Sequence, residues 1–566
     1  MGTDKQSDDR NRGKGNHPHR FVKVPTDVFS RHRVRVLDPA TAVWYEGTTR
    51  PQSTAYRADT LLVPLRTARN SDLLAELNKV IEPLGAHLSP LLPRTDRWQR
   101  AIKKLDQELP VPVAVRVRAG VKADRMPDPW AVLALLRNEL PTDKVAGIGL
   151  EHIVGAASVF GGGAPYGGGV PYGGGVPYGG GVPYGGGVPY GGGVPYGGGV
   201  PSGSVGLATG SRNPVRMFMP QPARRAPGDL TSGRRPVVAV LDTGIGTHPW
   251  LRVGPLEADP VVEVSHEFQA LLADLESTMT AENGSALAPL SSPFEERDLI
   301  QPLLGLTDSH AGHGTFVAGL IHQNCPDARV LSMRVLHTDG VTTDASVLLA
   351  LEWLRDRVQD AIDNNRPDEL VDVVSLSLGF YPENTDEVTG ALLATAVRKL
   401  TDLGVVVIAA AGNDATNRPF VPAALALNAD GSNTANELLV AVGALNASGT
   451  TIAAFSNDGE WVKRWAPGNA VVSTVPLWQG SEAGDLSLPR SVAGGPLLRS
   501  GPDPDDLMTG FAIWAGTSFA TPVVAGLLAA NFASAKDSLD IADRVSRATT
   551  ALAETDKELV DRGWTP

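Results

Sequence analysis

Residues Gly516 to Gly526 read GTSFATPVVAG and set Ser518 between a turn of small residues and an apolar run of helical length. Ser and Thr favour helix starts because their oxygens accept from backbone N–H groups that lack a partner inside the helix. Taken alone, the stretch is a capped, buried helix. Three other stretches open a second reading. The run VVAVL delivers Asp242 into the turn DTGIGTHPWL, GHGTFVAGL opens a helix at His313, and VVVIAAAGN ends a strand at Asn413. Each has its own plain reading: an Asp before Thr-Gly makes a turn, a His at a helix start caps or packs, and Asn after Gly is a turn residue.

These stretches share one texture. Strands are predicted at 237–241, 329–336, 371–378, 405–411 and 438–445, and helices near 315–323, 345–364, 388–403 and 518–532. Several strands are continuous apolar runs, as expected when both faces of a sheet are covered. The alternation specifies a doubly wound α/β domain with a mostly parallel sheet, over residues 236–540. Asp242, His313, Asn413 and Ser518 all fall at element ends, where an open sheet places its site. Together they suit nucleophilic chemistry: a serine hydroxyl needs a base, the base needs an orienting carboxylate, and a developing oxyanion needs donors.

The residues resemble the subtilisin family of serine peptidases. DTG at Asp242, HGT at His313, AAAGN at Asn413 and GTSFATP at Ser518 match its motifs in the family order Asp, His, Ser. The resemblance implies that Asp242 orients, His313 is general base and then acid, Ser518 is the nucleophile and Asn413 helps form the oxyanion hole. SLSLG at 375–379 resembles the family's substrate-binding strand, which implies that Ser377, Leu378 and Gly379 pair with an extended peptide. Protein or peptide substrates are thus expected. The chemistry asks for no cofactor; structural calcium is common in the family, although no acidic loop here shows ligand spacing. Phe316, Phe519 and Val523 depart from the family pattern. So does the long interval from Asp242 to His313. Its added stretch, 251–307, is rich in Asp and Glu and reads as a lid, an acidic rim for basic substrates, or a solvated insertion.

The rest of the 566-residue chain is organised around this domain. Residues 1–55 are polar and aperiodic, a mobile arm by expectation. From 56 to 155 the pattern predicts a small α+β domain: a strand at 60–65, a helix capped by Ser71, an alternating half-buried strand at 111–117, a helix opened by Asp128 and Pro129, and a strand within 145–154. This segment is either a prodomain acting on the cleft or a permanent adaptor. Residues 165–200 are six copies of PYGGGV, expected to be a flexible tether within a disordered linker spanning 156–235. The arginines at 212–235 read as exposed, on a stretch open to a proteolytic nick. Residues 541–566 form a C-terminal extension.

A net charge of -12 argues against a nucleic-acid partner. No apolar run reaches the ~18 to 20 residues of a membrane helix. The single cysteine, Cys325, reads as a packed residue, and the charged N-terminus lacks the apolar core of a secretory signal, so a cytoplasmic location is expected, with non-classical export left open. A second functional reading is a peptide-binding or scaffold protein that keeps the fold without the reaction and uses the Gly/Tyr repeats for association.

Overall fold

The computed structural model describes residues 26–157, except 47 and 123–125, and 212–565, except 218, 255–258, 285–286, 297–298, 302–305, 385–390, 428–435, 478–489, 493–494 and 498–508. The PYGGGV tract lies outside the described residues. The chain enters through Thr26–Arg31 (α1) and Val34–Val36 (β1), which pairs antiparallel with the start of Ala55–Pro64 (β2). Residues 26–55 are therefore folded rather than part of an arm. What orders them is distant in sequence: Arg31 and His32 each reach a carboxylate, Asp308 and Asp339 respectively, at 2.7 Å.

Beyond β2 come Ser71–Ile81 (α2), Ala86–Pro90 (β3), Asp96–Ala101 (α3), Pro110–Val117 (β4), Pro129–Glu139 (α4) and Gly149–Ala156 (β5). The strands form an antiparallel sheet in the order β3-β4-β2-β5. Asp128 caps α4 by accepting from the Trp130 N–H at 3.2 Å. Asn70, not Ser71, caps α2, accepting from the amides of Asp72 and Leu73. Its amide oxygen sits one residue ahead of the helix, where the first free donors converge. From Pro110 to Val115, β4 is buried on both faces rather than half-buried, since a helix of the larger domain packs against it.

The larger domain follows the doubly wound plan. Val237–Asp242 (β6), Val262–Val264 (β7), Arg329–Arg334 (β8), Val373–Leu376 (β10), Val406–Ala410 (β12), Leu439–Leu445 (β13) and Arg464–Pro467 (β14) make one parallel sheet, ordered β14-β13-β12-β10-β6-β8-β7. Its helices include His266–Asn283 (α5), His313–Asn324 (α6), Asp344–Asp363 (α7), Ala391–Thr401 (α8), Thr517–Ala533 (α9) and Ile541–Asp561 (α10). Two short strands, Val341–Thr343 (β9) and Leu378–Gly379 (β11), leave this sheet and pair with β5 of the small domain. Among the described residues no helix is long and apolar enough to cross a membrane.

The stretch 225–229 is exposed as expected, but Arg234 and Arg235 just beyond it are not. Arg234 and Arg235 are 5% and 3% exposed. Arg234 grips both oxygens of buried Asp372 at 2.8 Å, and Arg547 on α10 reaches the same carboxylate at 3.1 Å. Asp372 also accepts from the Val237 N–H at the start of β6, and the surrounding guanidinium groups, opposing the effect of burial, hold its carboxyl well below the usual carboxylate range. The same network makes α10 part of the domain rather than an extension, with Ala548, Ala551, Leu552 and Leu559 buried. Composition reported Arg234 as solvent-facing because its partners, Asp372 and Asp537, lie 138 and 303 residues away. Removing the shared carboxylate leaves Arg234 and Arg547 with Asp537 as their one remaining anionic partner among the described residues. Asp372→Ala is expected to lower unfolding free energy by about 3–5 kcal/mol, measured by urea denaturation; a loss below about 1 kcal/mol would show that the network contributes little.

Candidate active site

Asp242 is the last residue of β6, and His313 the first of α6. The turn after β6 and the start of α6 meet closely: a Cβ on Gly314 would overlap the Gly244 carbonyl, so only glycine fits there. The approach puts His313 Nδ1 2.7 Å from Asp242 Oδ1, which also accepts from the Thr243 N–H. Both side chains are buried, and His313 Nε2 has no hydrogen-bond partner among the described residues. That nitrogen is free to take a proton once Nδ1 donates to the carboxylate.

Ser518 is the second residue of α9, whose N-cap Gly516 has no side chain to occupy the free helical donors. Its Oγ donates to the Ser377 carbonyl at 3.1 Å, and its own carbonyl accepts from Ser377 Oγ at 2.9 Å. Pro522, four residues on, lacks the N–H that would otherwise claim that carbonyl, so Ser377 satisfies it. The Ser518 N–H donates at 2.8 Å to the carbonyl of Ala157, the residue just beyond β5. Asn413 sits beside it. Its Oδ1 accepts from the amide and hydroxyl of Thr517 at 2.9 and 3.0 Å, leaving Nδ2 buried without a partner among the described residues. The Ala157 N–H donates to the Ser377 carbonyl, while Leu378 and Gly379 pair with Ala156 and Gly155. Thus Ser377, Leu378 and Gly379 hold an extended segment of the chain itself.

Over residues 233–558, more than half of the chain, the sequence matches the subtilase family. The chain belongs to that family. It is 28% identical over 253 residues to a thermophilic serine proteinase of Bacillus sp. (strain AK1), covering 43% of this chain and 48% of that protein. It is 26% identical over 323 residues to serine protease AprX of Bacillus subtilis (strain 168), covering 53% and 58%. The chain thus spans about half the length of these relatives. Two of its departures from the subtilase pattern pack together: Phe316 and Phe519 lie 4.6 Å apart, Trp514 stands edge-on to His313 at 5.5 Å, and Phe519 approaches that imidazole at 5.2 Å.

In the acidic insertion of this subtilase Glu267, Glu282 and Glu296 are exposed, whereas other carboxylates meet residues of distant segments. Asp259 pairs with Arg235, and Asp274 on α5 accepts from Thr95 at 2.6 Å, with Arg97 beside it at 3.5 Å. Glu295, which sequence reasoning counted only as one acid among many, is buried behind Asp242. It accepts from Thr243 Oγ1 at 2.7 Å, the Gly312 N–H at 2.5 Å and Thr315 Oγ1 at 3.0 Å. Thr243 Oγ1 in turn accepts from the Gly314 N–H. One carboxylate therefore ties the Asp242 turn to the His313 helix; no local pattern marks it. Among the described residues no group of three or more His, Cys, Asp or Glu side chains converges as metal ligands.

Burial pushes the Glu295 carboxyl up to about 7, assisted by nearby Asp242 and opposed by its three hydrogen bonds. A carboxyl that binds its proton more tightly when folded contributes stability at low pH and loses it as pH rises through the folded value. Glu295→Gln removes this titration. The stability of wild type relative to the variant should fall by roughly 2 kcal/mol between pH 5 and 7, read by thermal or urea unfolding at each pH. A pH-independent difference would mean that Glu295 is ionised throughout.

Proposed function

We propose that this chain is a serine endopeptidase acting through an acyl-enzyme, with its N-terminal domain as the first occupant of its own cleft. The reading is carried by one observation, the Ser518 N–H donating to the Ala157 carbonyl. That bond polarises the carbonyl of the Ala157–Ser158 peptide where an oxyanion would form. Strand pairing from both β9 and β11 supports it, since a peptide held by backbone bonds on both edges is recognised largely without regard to side chain.

In this reaction Ser518 Oγ turns from the Ser377 carbonyl toward His313 Nε2, gives up its proton there and attacks the Ala157 carbonyl carbon. Asp242 holds the imidazole in the tautomer with Nδ1 protonated and stabilises the imidazolium. The oxyanion receives the Ser518 N–H and the unpaired Nδ2 of Asn413. His313 then protonates the leaving amine of Ser158, and water, activated by the same imidazole, releases the acyl group. The positive end of α9 favours the oxyanion as well. No cofactor enters these steps.

The small domain is a prodomain-like segment on this reading, and the bond it presents is Ala157–Ser158 rather than one within 201–235. Cutting there leaves the PYGGGV tract on the enzyme. The scaffold reading and this one diverge in a single preparation. Mass spectrometry of the purified full chain should find fragments meeting at Ala157 and Ser158, with casein hydrolysis and labelling by a serine-directed fluorophosphonate; Ser518→Ala should stay intact and lose both, an activity drop of at least about 10³-fold. An intact wild type inert to casein and probe would favour the scaffold.

A further inference from the structure

The segment held in the cleft carries more than the carbonyl at its end. With Ala157 as the first residue before the bond, its neighbours along β5 pair with the larger domain on both edges: Ala156 with Leu378, Gly155 with Gly379 and Val341, Val154 with Thr342 and Ile153 with Thr343. His152 is the sixth residue. Its ring is buried, with Nδ1 3.0 Å from Asp344 Oδ2 and Nε2 2.7 Å from Glu383 Oε2. One face of the ring stacks on Phe380 at 4.3 Å and 19°. Both ring nitrogens face carboxylates, so both are donors and the ring is an imidazolium.

Asp344, Glu383 and Phe380 all belong to the larger domain and stay with it when the small domain leaves. Asp344 stands at the first position of α7, and its Oδ1 is buried without a hydrogen-bond partner among the described residues, an acceptor that an imidazole does not reach. A guanidinium or ammonium has donors to spare for it. The other cations nearby are accounted for. Arg137, 3.9 Å from Glu383, belongs to the small domain, and Arg418 donates to the carbonyls of Ser53 and Pro382. Burial opposes charge on His152, yet the two carboxylates outweigh it and raise its imidazole to about 10. The same cation, against burial, holds Glu383 down at about 2, whereas burial dominates at Asp344 and raises it. With the small domain in place His152 and Arg137 face these two carboxyls, and both cations belong to the small domain; without it the pocket would hold two carboxyls with no cation between them.

We propose that Asp344, Glu383 and Phe380 form a subsite that takes a cationic side chain, guanidinium, ammonium or imidazolium, on the sixth residue before the cut bond. This rests on the endopeptidase reading above and adds a substrate class to it: extended polypeptides with Arg, Lys or His at that distance from the cut. Apolar and backbone contacts at the nearer positions set binding, and the sixth position discriminates, because a neutral or acidic side chain there leaves the carboxylates desolvated and unpaired.

The test uses the full-length chain and peptides copying residues 149–160, with position 152 present as His, Arg, Gln or Glu. The expected order of kcat/KM is Arg and His above Gln by about tenfold to a hundredfold, with Glu lowest. In Glu383→Gln the ratio of Arg to Gln peptide should fall toward one; a merely structural role for Glu383 would slow both peptides together and leave the ratio intact. In the intact chain, His152→Arg should keep the rate at which the fragment beginning at Ser158 appears, and His152→Gln and His152→Glu should slow it in that order. Equal kcat/KM for the four peptides, or a ratio unmoved by Glu383→Gln, overturns the subsite. Failure of the endopeptidase reading looks different: neither peptides nor casein are cut and the chain stays whole.

Discussion

The Ser518 amide donates to the Ala157 carbonyl at 2.8 Å, and this bond joins the end of one domain's edge strand to the start of the other's central helix. Much of the architecture is needed to bring those two groups together. The parallel sheet sets Asp242 and the loop of Asn413 at the same edge, and the glycine-only contact between Gly314 and Gly244 brings the His313 helix against the Asp242 turn. Pro522 then withdraws a donor from α9, so that Ser377 binds to the Ser518 carbonyl instead and the 377–379 segment is tied directly to the helix. The backbone at the site is thus fixed from three directions before any side-chain chemistry begins.

The carboxylates near the site divide by what surrounds them. Asp242 faces a histidine, Glu295 faces hydroxyls and amides, and Asp344 with Glu383 encloses a cation. Glu295 has no positive partner among its hydrogen bonds, and burial raises its carboxyl to about 7. Neutral hydroxyls and amides can anchor it in either protonation state, so its bridging role between the Asp242 turn and α6 does not require charge. At Glu383, where the imidazolium is close, attraction outweighs the same burial.

What the sequence made legible was whatever local periodicity and local chemistry encode. The apolar runs at 237–241 and 405–411 became β6 and β12 within a residue of expectation, and the helix at Ser518 spans Thr517–Ala533. Asp242 and His313 were legible as a pair because each sits at an element end and because DTG and HGT resemble family motifs in the family order. The structure differs from expectation where the deciding partner is remote. Arg234 meets Asp372 across 138 residues, and Arg31 meets Asp308 across 277, so composition alone made both segments solvent-facing. Two acids of the insertion hid their partners for the same reason: Asp274 meets Thr95 and Arg97, and Asp259 meets Arg235. Ala156 and Ala157 did carry a faint signal: two small residues end an apolar strand just before a glycine-rich tract, a segment that is extended, unbranched and able to enter a narrow cleft.

The two domains also share a continuous apolar core, in which Leu61, Val113 and Leu150 of the small domain belong with Leu348, Leu351 and Leu393 of the larger one. Polar bonds ring that core, among them Arg31 to Asp308, His32 to Asp339 and His152 to its two carboxylates. None of these contacts involves the Ala157–Ser158 bond. Breaking it therefore changes the connection between the domains without removing what holds them, and the Ala157 carbonyl keeps its donor. The small domain loses only the high effective concentration that a covalent tether confers. Its departure is then governed by a core that costs apolar area to expose and by ion pairs whose partners become free carboxylates. If the small domain leaves, Asp344 and Glu383 lose the ring that now lies between them.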